Sequence, residues 1–174
     1  GRVEFEGFRV PMDESRERFS EAAQMILAGL EQGYCEFNGK HYQQPRRDIR
    51  PRPERTFKGR TYAAAVSPES VEIMARLGIG ILVIPQKPWP MVDQELAAYR
   101  DVYQKVNGAP APAPIIAGWV FCDDDEKRAR EMAVRWIGGY WETARKHYEF
   151  GGEHFAKTKG YEFYAAMSQA DRRS

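Results

Sequence analysis

Cysteine is scarce in this 174-residue chain: Cys35 and Cys122 stand far apart and form no metal-type or redox-type pair. A few isolated thiols fit a reducing compartment, and a cytoplasmic location is expected. Excess charge of either sign is missing too. The 26 basic and 25 acidic residues leave a formal charge of +1, which gives no reason to propose nucleic acid or an anionic membrane as a partner. No apolar run approaches the roughly 18–20 residues needed to span a bilayer, and no signal peptide is legible. His41, His147 and His154 share no ligand spacing, and H-x-x-x-H and C-x-x-C are absent, so no metal site is expected. G-x-S-x-G, the P-loop and G-x-G-x-x-G are equally missing.

What is present is a sequence of alternating element signals. Gly1 to Pro11 reads as the tail of a strand and a loop. Asp13 or Ser15 can cap a helix whose apolar face is Phe19, Ala22, Ala23, Ile26, Leu27 and Leu30, stopped by Gly33. Asn38-Gly39, between short aromatic-rich runs, signals a two-residue hairpin turn. "QQPRRDIRPRPERTFKG" (43–59) is polar, basic and proline-rich and predicts an extended connection. Its arginines fit a solvated loop better than an anion site.

From residue 60 the order becomes β, α, β, α, β, α with short turns, the grammar of a parallel α/β protein. The strands are Arg60–Val66, Ile79–Pro85 and Ala113–Cys122; the last two are near-continuous apolar runs expected to be buried on both faces. Trp119 is expected to be buried in mid-strand, or to line a pocket. Between the strands lie helices over Pro68–Leu77 and "MVDQELAAYRDVYQKVNG". Asp123-Asp124-Asp125 reads as the cap of a further helix rather than a metal cluster. The aromatic series Trp136, Tyr140, Trp141, Tyr148, Phe150, Phe155 reads as a core or subunit face. Residues 145–174 read as an irregular tail. One domain spanning 1–174 is expected, with 34–60 a hairpin and connection inside it.

Ser67-Pro68-Glu69-Ser70 admits two readings. Ser67 is a good N-cap, Pro68 suits the first helical position and Glu69 complements the helix dipole, so capping alone accounts for the segment. Yet two hydroxyls join the free N–H groups of that first turn, just past the carboxyl end of a parallel strand. A phosphate at such a helix start would meet these donors and a favourable dipole, although Glu69 runs against it and capping by itself suffices.

"GRVEFEGFRVPMDESRERFSEAAQMI", "FNGKHYQ" and "PRPERTFKGRTYAAAVSPESVEIMARLG", in this order and spacing, resemble the bacterial luciferase-like flavin-dependent monooxygenases. The resemblance runs from residue 1 to at least about residue 135 and becomes loose in the tail. It implies part of a TIM barrel, roughly strands 4/5 to 7 with their helices, since a full (β/α)8 barrel needs about 250 residues. Gly1-Arg2 would end strand four, and Arg60–Val66, Ile79–Ile84 and Pro114–Phe121 would be strands five to seven. Three or four barrel strands cannot close, so two edges and an apolar inner face should be exposed and call for a partner chain, swapping or another packing.

The resemblance further implies FMN as cofactor, reduced by a separate reductase, with dioxygen oxygenating a small organic substrate. A deazaflavin (F420) oxidoreductase or a non-catalytic flavin-binding fragment are the alternatives. Ser67 and Ser70 match the family's phosphate contacts, with Val66 beside them where an acidic residue is common. Ile84, Pro85 and Gln86 would lie near the flavin ring, and Arg2, with Gly1, Val3 and Glu4, near flavin and substrate. The family's catalytic residues on earlier strands have no counterpart in this sequence. A homo-oligomer is expected.

Overall fold

The computed structural model describes residues 1–65, 67–84, 87–159, 161, 164 and 165. The chain divides into two compact units, one of Arg16–Gly118 and one of Gly1–Ser15 with Trp119–Ser174. The fold is mixed α/β.

In the first of these, helix α2 (Ser15–Gln32) leads into an antiparallel hairpin, β1 (Tyr34–Asn38) and β2 (Gln43–Asp48). Gly33 ends α2 with φ at +80°, a left-handed conformation that favours glycine. The hairpin turn differs from the expected two residues. It is a four-residue loop, Gly39–Tyr42, closed by the Gly39 N–H on the Tyr42 carbonyl at 2.8 Å. The reason is Glu21 of α2. Its carboxylate accepts the backbone N–H groups of Lys40, His41 and Tyr42 at 2.9, 2.8 and 3.1 Å. Gly39 is required there because a Cβ would overlap that carboxylate and the Phe37 ring. Part of the basic segment also departs from the expected loop, since Gln43–Asp48 pairs as β2. Pro45 is accommodated where the ladder register shifts opposite Cys35 and Phe37. Further on, the Glu31 carboxylate accepts from the Thr56 hydroxyl and the Phe57 N–H, both at 2.8 Å.

The expected parallel sheet forms from β3 (Tyr62–Ala64), β4 (Gly80–Val83) and β5 (Ile115–Ile116), in that order. Helices α3 (Pro68–Arg76) and α4 (Trp89–Asn107) supply the crossovers. Val71, Met74 and Ala75 of α3 and Val92, Leu96, Tyr99 and Tyr103 of α4 recur at helical spacing and bury against Ile81 and Val83. Side chains of α4 then hold the turn between α3 and β4. The Tyr99 hydroxyl donates to the Ile79 carbonyl at 2.8 Å, the Tyr103 hydroxyl to Gly78 at 3.2 Å, and the Asn107 amide to Ala75 at 2.9 Å. Burial pushes the Tyr99 phenol up to about 12, so it stays a donor.

The third strand is shorter and more open than expected. Only Ile115 and Ile116 pair, and Ile115 is 52% exposed. A parallel strand extends only as far as its neighbour, and β4 ends at Val83, whose carbonyl takes the last bond, from Ala117. Trp119, expected in mid-strand, is 44% exposed and lies outside the sheet, its ring 5.1 Å from that of Tyr140. On the sheet face away from Ile81, the register partners Ala64, Leu82 and Ile115 form an exposed apolar row.

In the other unit, Gly1-Arg2 does not end a strand. Arg2–Gly7 is helix α1, favoured by the Arg2–Glu6 pair one turn apart and by Glu4 in the first turn. Helix α5 (Glu126–His147) is capped by Asp125, whose carboxylate accepts from Arg128 N–H at 2.9 Å, as the acidic run predicts. The tail contains α6 (His154–Lys157). Of the aromatic series, Phe155 is buried and stacks on Phe150, which also stacks on Trp141, whereas Trp136 and Tyr140 are exposed.

Tyr99→Phe leaves a buried carbonyl without its donor and should lower unfolding free energy by about 1–2 kcal/mol in urea titration. Gly39→Ala, which forces the loop off Glu21, should cost about 1–3 kcal/mol.

Candidate functional site

Strands β3 and β4 run parallel, so the segments that follow them leave the sheet at the same carboxyl end, where parallel α/β folds place ligands. Ser67 and Ile84 both lie just past those ends. Ser67 is fully buried with extended backbone, and its Oγ accepts from the Ser70 N–H at 3.3 Å, so it caps α3. The two hydroxyls are 2.9 Å apart.

A third group joins them from the start of α2. Arg16 donates through Nη1 to Ser70 Oγ at 2.6 Å and through Nη2 to Ser67 Oγ at 3.1 Å. This places a guanidinium beside the N-terminus of α3, the positive end of that helix. A cation there is unfavourable by itself. An anion between the guanidinium, the hydroxyls and the helix terminus would turn that repulsion into a shared attraction. The donor set, two hydroxyls and a planar fork with backbone amides, fits a phosphate.

The sequence reading singled out Ser67 and Ser70 and missed Arg16. The signal that could have found it is its position. A basic residue in the first turn of a helix runs against the dipole preference, which asks for a compensating partner elsewhere. Of the other expected residues, Ile84 is half-buried just past β4. Val66, Pro85 and Gln86 lie outside the described residues. Arg2 belongs to the other unit, where Nε and Nη2 donate to the two oxygens of Glu149 at 2.8 and 2.7 Å. That hydrogen-bonded guanidinium holds the Glu149 carboxyl below the usual range. Glu4, also expected near the site, faces His147 Nε2 at 2.6 Å in the same unit.

Further along α2, two carboxylates make polar contacts to the hairpin loop. Glu17 accepts from Lys40 Nζ at 2.7 Å and meets His41 Nε2 at 3.2 Å. One turn on, Glu21 grips the hairpin loop. Burial pulls the Glu21 carboxyl up, but its backbone bonds to His41, Lys40 and Tyr42 outweigh that and hold it below its ordinary value. Among the described residues no cluster of metal-binding side chains occurs, and no helix is long and apolar enough to cross a membrane.

The profile of the luciferase-like monooxygenases matches residues 1–173. The chain belongs to that family. Among solved structures it is similar to monooxygenase RslO1 from Streptomyces bottropensis, with a TM-score of 0.67 and 26% identity over 76% of this chain. The chain spans 41% of the length of that enzyme. No curated protein matches it.

Because the folded pKa of Glu21 is depressed, its contribution to stability is complete above the unfolded value, near 4.5, and is lost as pH falls through the folded one. Hydrogen-exchange protection of the Lys40, His41 and Tyr42 amides should therefore hold at pH 6 and collapse below 4.5. In Glu21→Gln it should already be weak at pH 6.

Proposed function

We propose that this chain provides the cofactor-phosphate site of a flavin-dependent monooxygenase that uses reduced FMN and dioxygen to oxygenate a small organic substrate. The observation that supports this reading is the convergence of Arg16, Ser67 and Ser70 on the start of α3, at the carboxyl end of a parallel sheet, in a member of the luciferase-like family. The flavin, when bound, supplies the reducing chemistry that dioxygen requires. The residues of this chain bind and orient it. Ser70 and Arg16 would donate to the phosphate, and Ser67 would keep the first turn of α3 closed behind it. Ile84 would offer an apolar contact to the ring side.

The sheet itself reads as a segment of a TIM barrel. Strands β3, β4 and β5 are parallel and in sequence order, with the helices on one face. The row Ala64, Leu82, Ile115 would then point into the barrel interior, against strands that continue the sheet.

Arg16→Ala should weaken FMN binding by about 1.5–3 kcal/mol, the range of a hydrogen bond to a charged group, or roughly 10- to 150-fold. Ser70→Ala should act in the same direction by less. Riboflavin, which lacks the phosphate, should bind the two variants and the parent chain alike, as read by fluorescence quenching. Equal loss for both ligands, or a fall in stability with FMN affinity unchanged, would mean that these side chains only hold α3 in place.

A further inference from the structure

Resting on that phosphate reading, we propose that Glu17 is a specificity-determining residue: it favours a cofactor whose phosphate is terminal, as in FMN, over one whose phosphate continues into an anionic chain. FAD and deazaflavins carrying a glutamate tail belong to the second class.

The observation behind this is the surface next to the site. A shallow depression of about 460 Å³ adjoins Arg16 and is lined by Arg16, Glu17, Ser20, Glu21 and Lys40. Arg16 belongs to both places. Beyond it the lining carries two carboxylates and one ammonium, a net charge of −1. The one cation is engaged, since Lys40 Nζ donates to Glu17 at 2.7 Å. The Glu21 carboxylate is fixed in place by three backbone amides, so neither acid is easily displaced.

Charge then sorts the ligands. A phosphate monoester is close to a dianion at pH 7, because its second pKa is about 6. A diester keeps a single charge at that position. The guanidinium and the α3 terminus therefore hold the monoester more strongly. A cofactor that continues past the phosphate would lay its next anion along Glu17 and Glu21, and the like charges would repel it. A terminal phosphate meets the favourable half of this arrangement and stops short of the unfavourable half.

The test titrates the full chain with FMN, FAD and a tail-bearing deazaflavin, followed by fluorescence at fixed ionic strength. FMN should bind at least about 10-fold more tightly than the other two. Glu17→Gln should improve FAD and deazaflavin binding by about 3- to 10-fold and leave FMN within about twofold. Lys40→Ala, which uncovers the Glu17 charge, should widen the preference for FMN. FAD binding as tightly as FMN, or Glu17→Gln weakening all three ligands together, would overturn this inference while leaving the phosphate site standing. Failure of both FMN and riboflavin to bind would overturn the flavin reading and this inference with it.

Discussion

The position of helix α3 governs the rest of the first unit, and it is fixed at both ends by side chains from other helices. At the C-terminal end, Tyr99, Tyr103 and Asn107 of α4 occupy the carbonyls of Ile79, Gly78 and Ala75. The carbonyls of Ile79 and Gly78 belong to a tight turn that leaves such groups short of donors, and Ala75 accepts from the Gly78 N–H as well. At the N-terminal end, Arg16 of α2 reaches Ser67 and Ser70. The first set of contacts stabilises the fold. The second is where we propose that an anion binds. On that proposal, structure and function sit at opposite ends of the same nine-residue helix.

Helix α2 works as a spine for this arrangement. Its carboxylates serve neighbouring backbone more than neighbouring charges: Glu21 holds the hairpin loop and Glu31 holds Phe57. Each contact replaces solvent for a backbone N–H that no strand or helix could satisfy. The result is a basic, proline-rich segment tethered at both ends, although its own sequence promises little order. The hairpin loop in turn presents Lys40 and His41 to Glu17, next to the arginine at the site.

Much of the fold was legible in the sequence because it follows from local rules. The helical spacing of apolar residues, Gly33, Gly78 and Gly108 past helix ends, and the run "IGILVIP" announced α2, α3, α4 and β4 correctly. Two of the failures share one cause. The two-residue turn and the long third strand were read from local pattern, and each was decided by a partner distant in sequence. Glu21 opened the hairpin loop. The end of β4 cut β5 short. Gly1-Arg2 differs, because the local Arg2–Glu6 pair and Glu4 favour a helix there. The site shows the same division. Ser67 and Ser70 were readable because a helix cap is local, whereas Arg16 was not, because its role depends on where α2 begins relative to α3.

That dependence has a kinetic side. Arg16 and Ser70 are separated by 54 residues, and the hairpin, the basic connection and a strand all lie between them. Bringing residues of such sequence separation together carries a loop-closure cost that local contacts do not. The proposed anion socket exists only where α2 and α3 are in contact. A ligand held there recognises the finished arrangement alone and draws the whole population toward it by mass action. In a cell the cofactor would then act as a folding checkpoint, lengthening the life of chains that have assembled correctly and passing over those that have not.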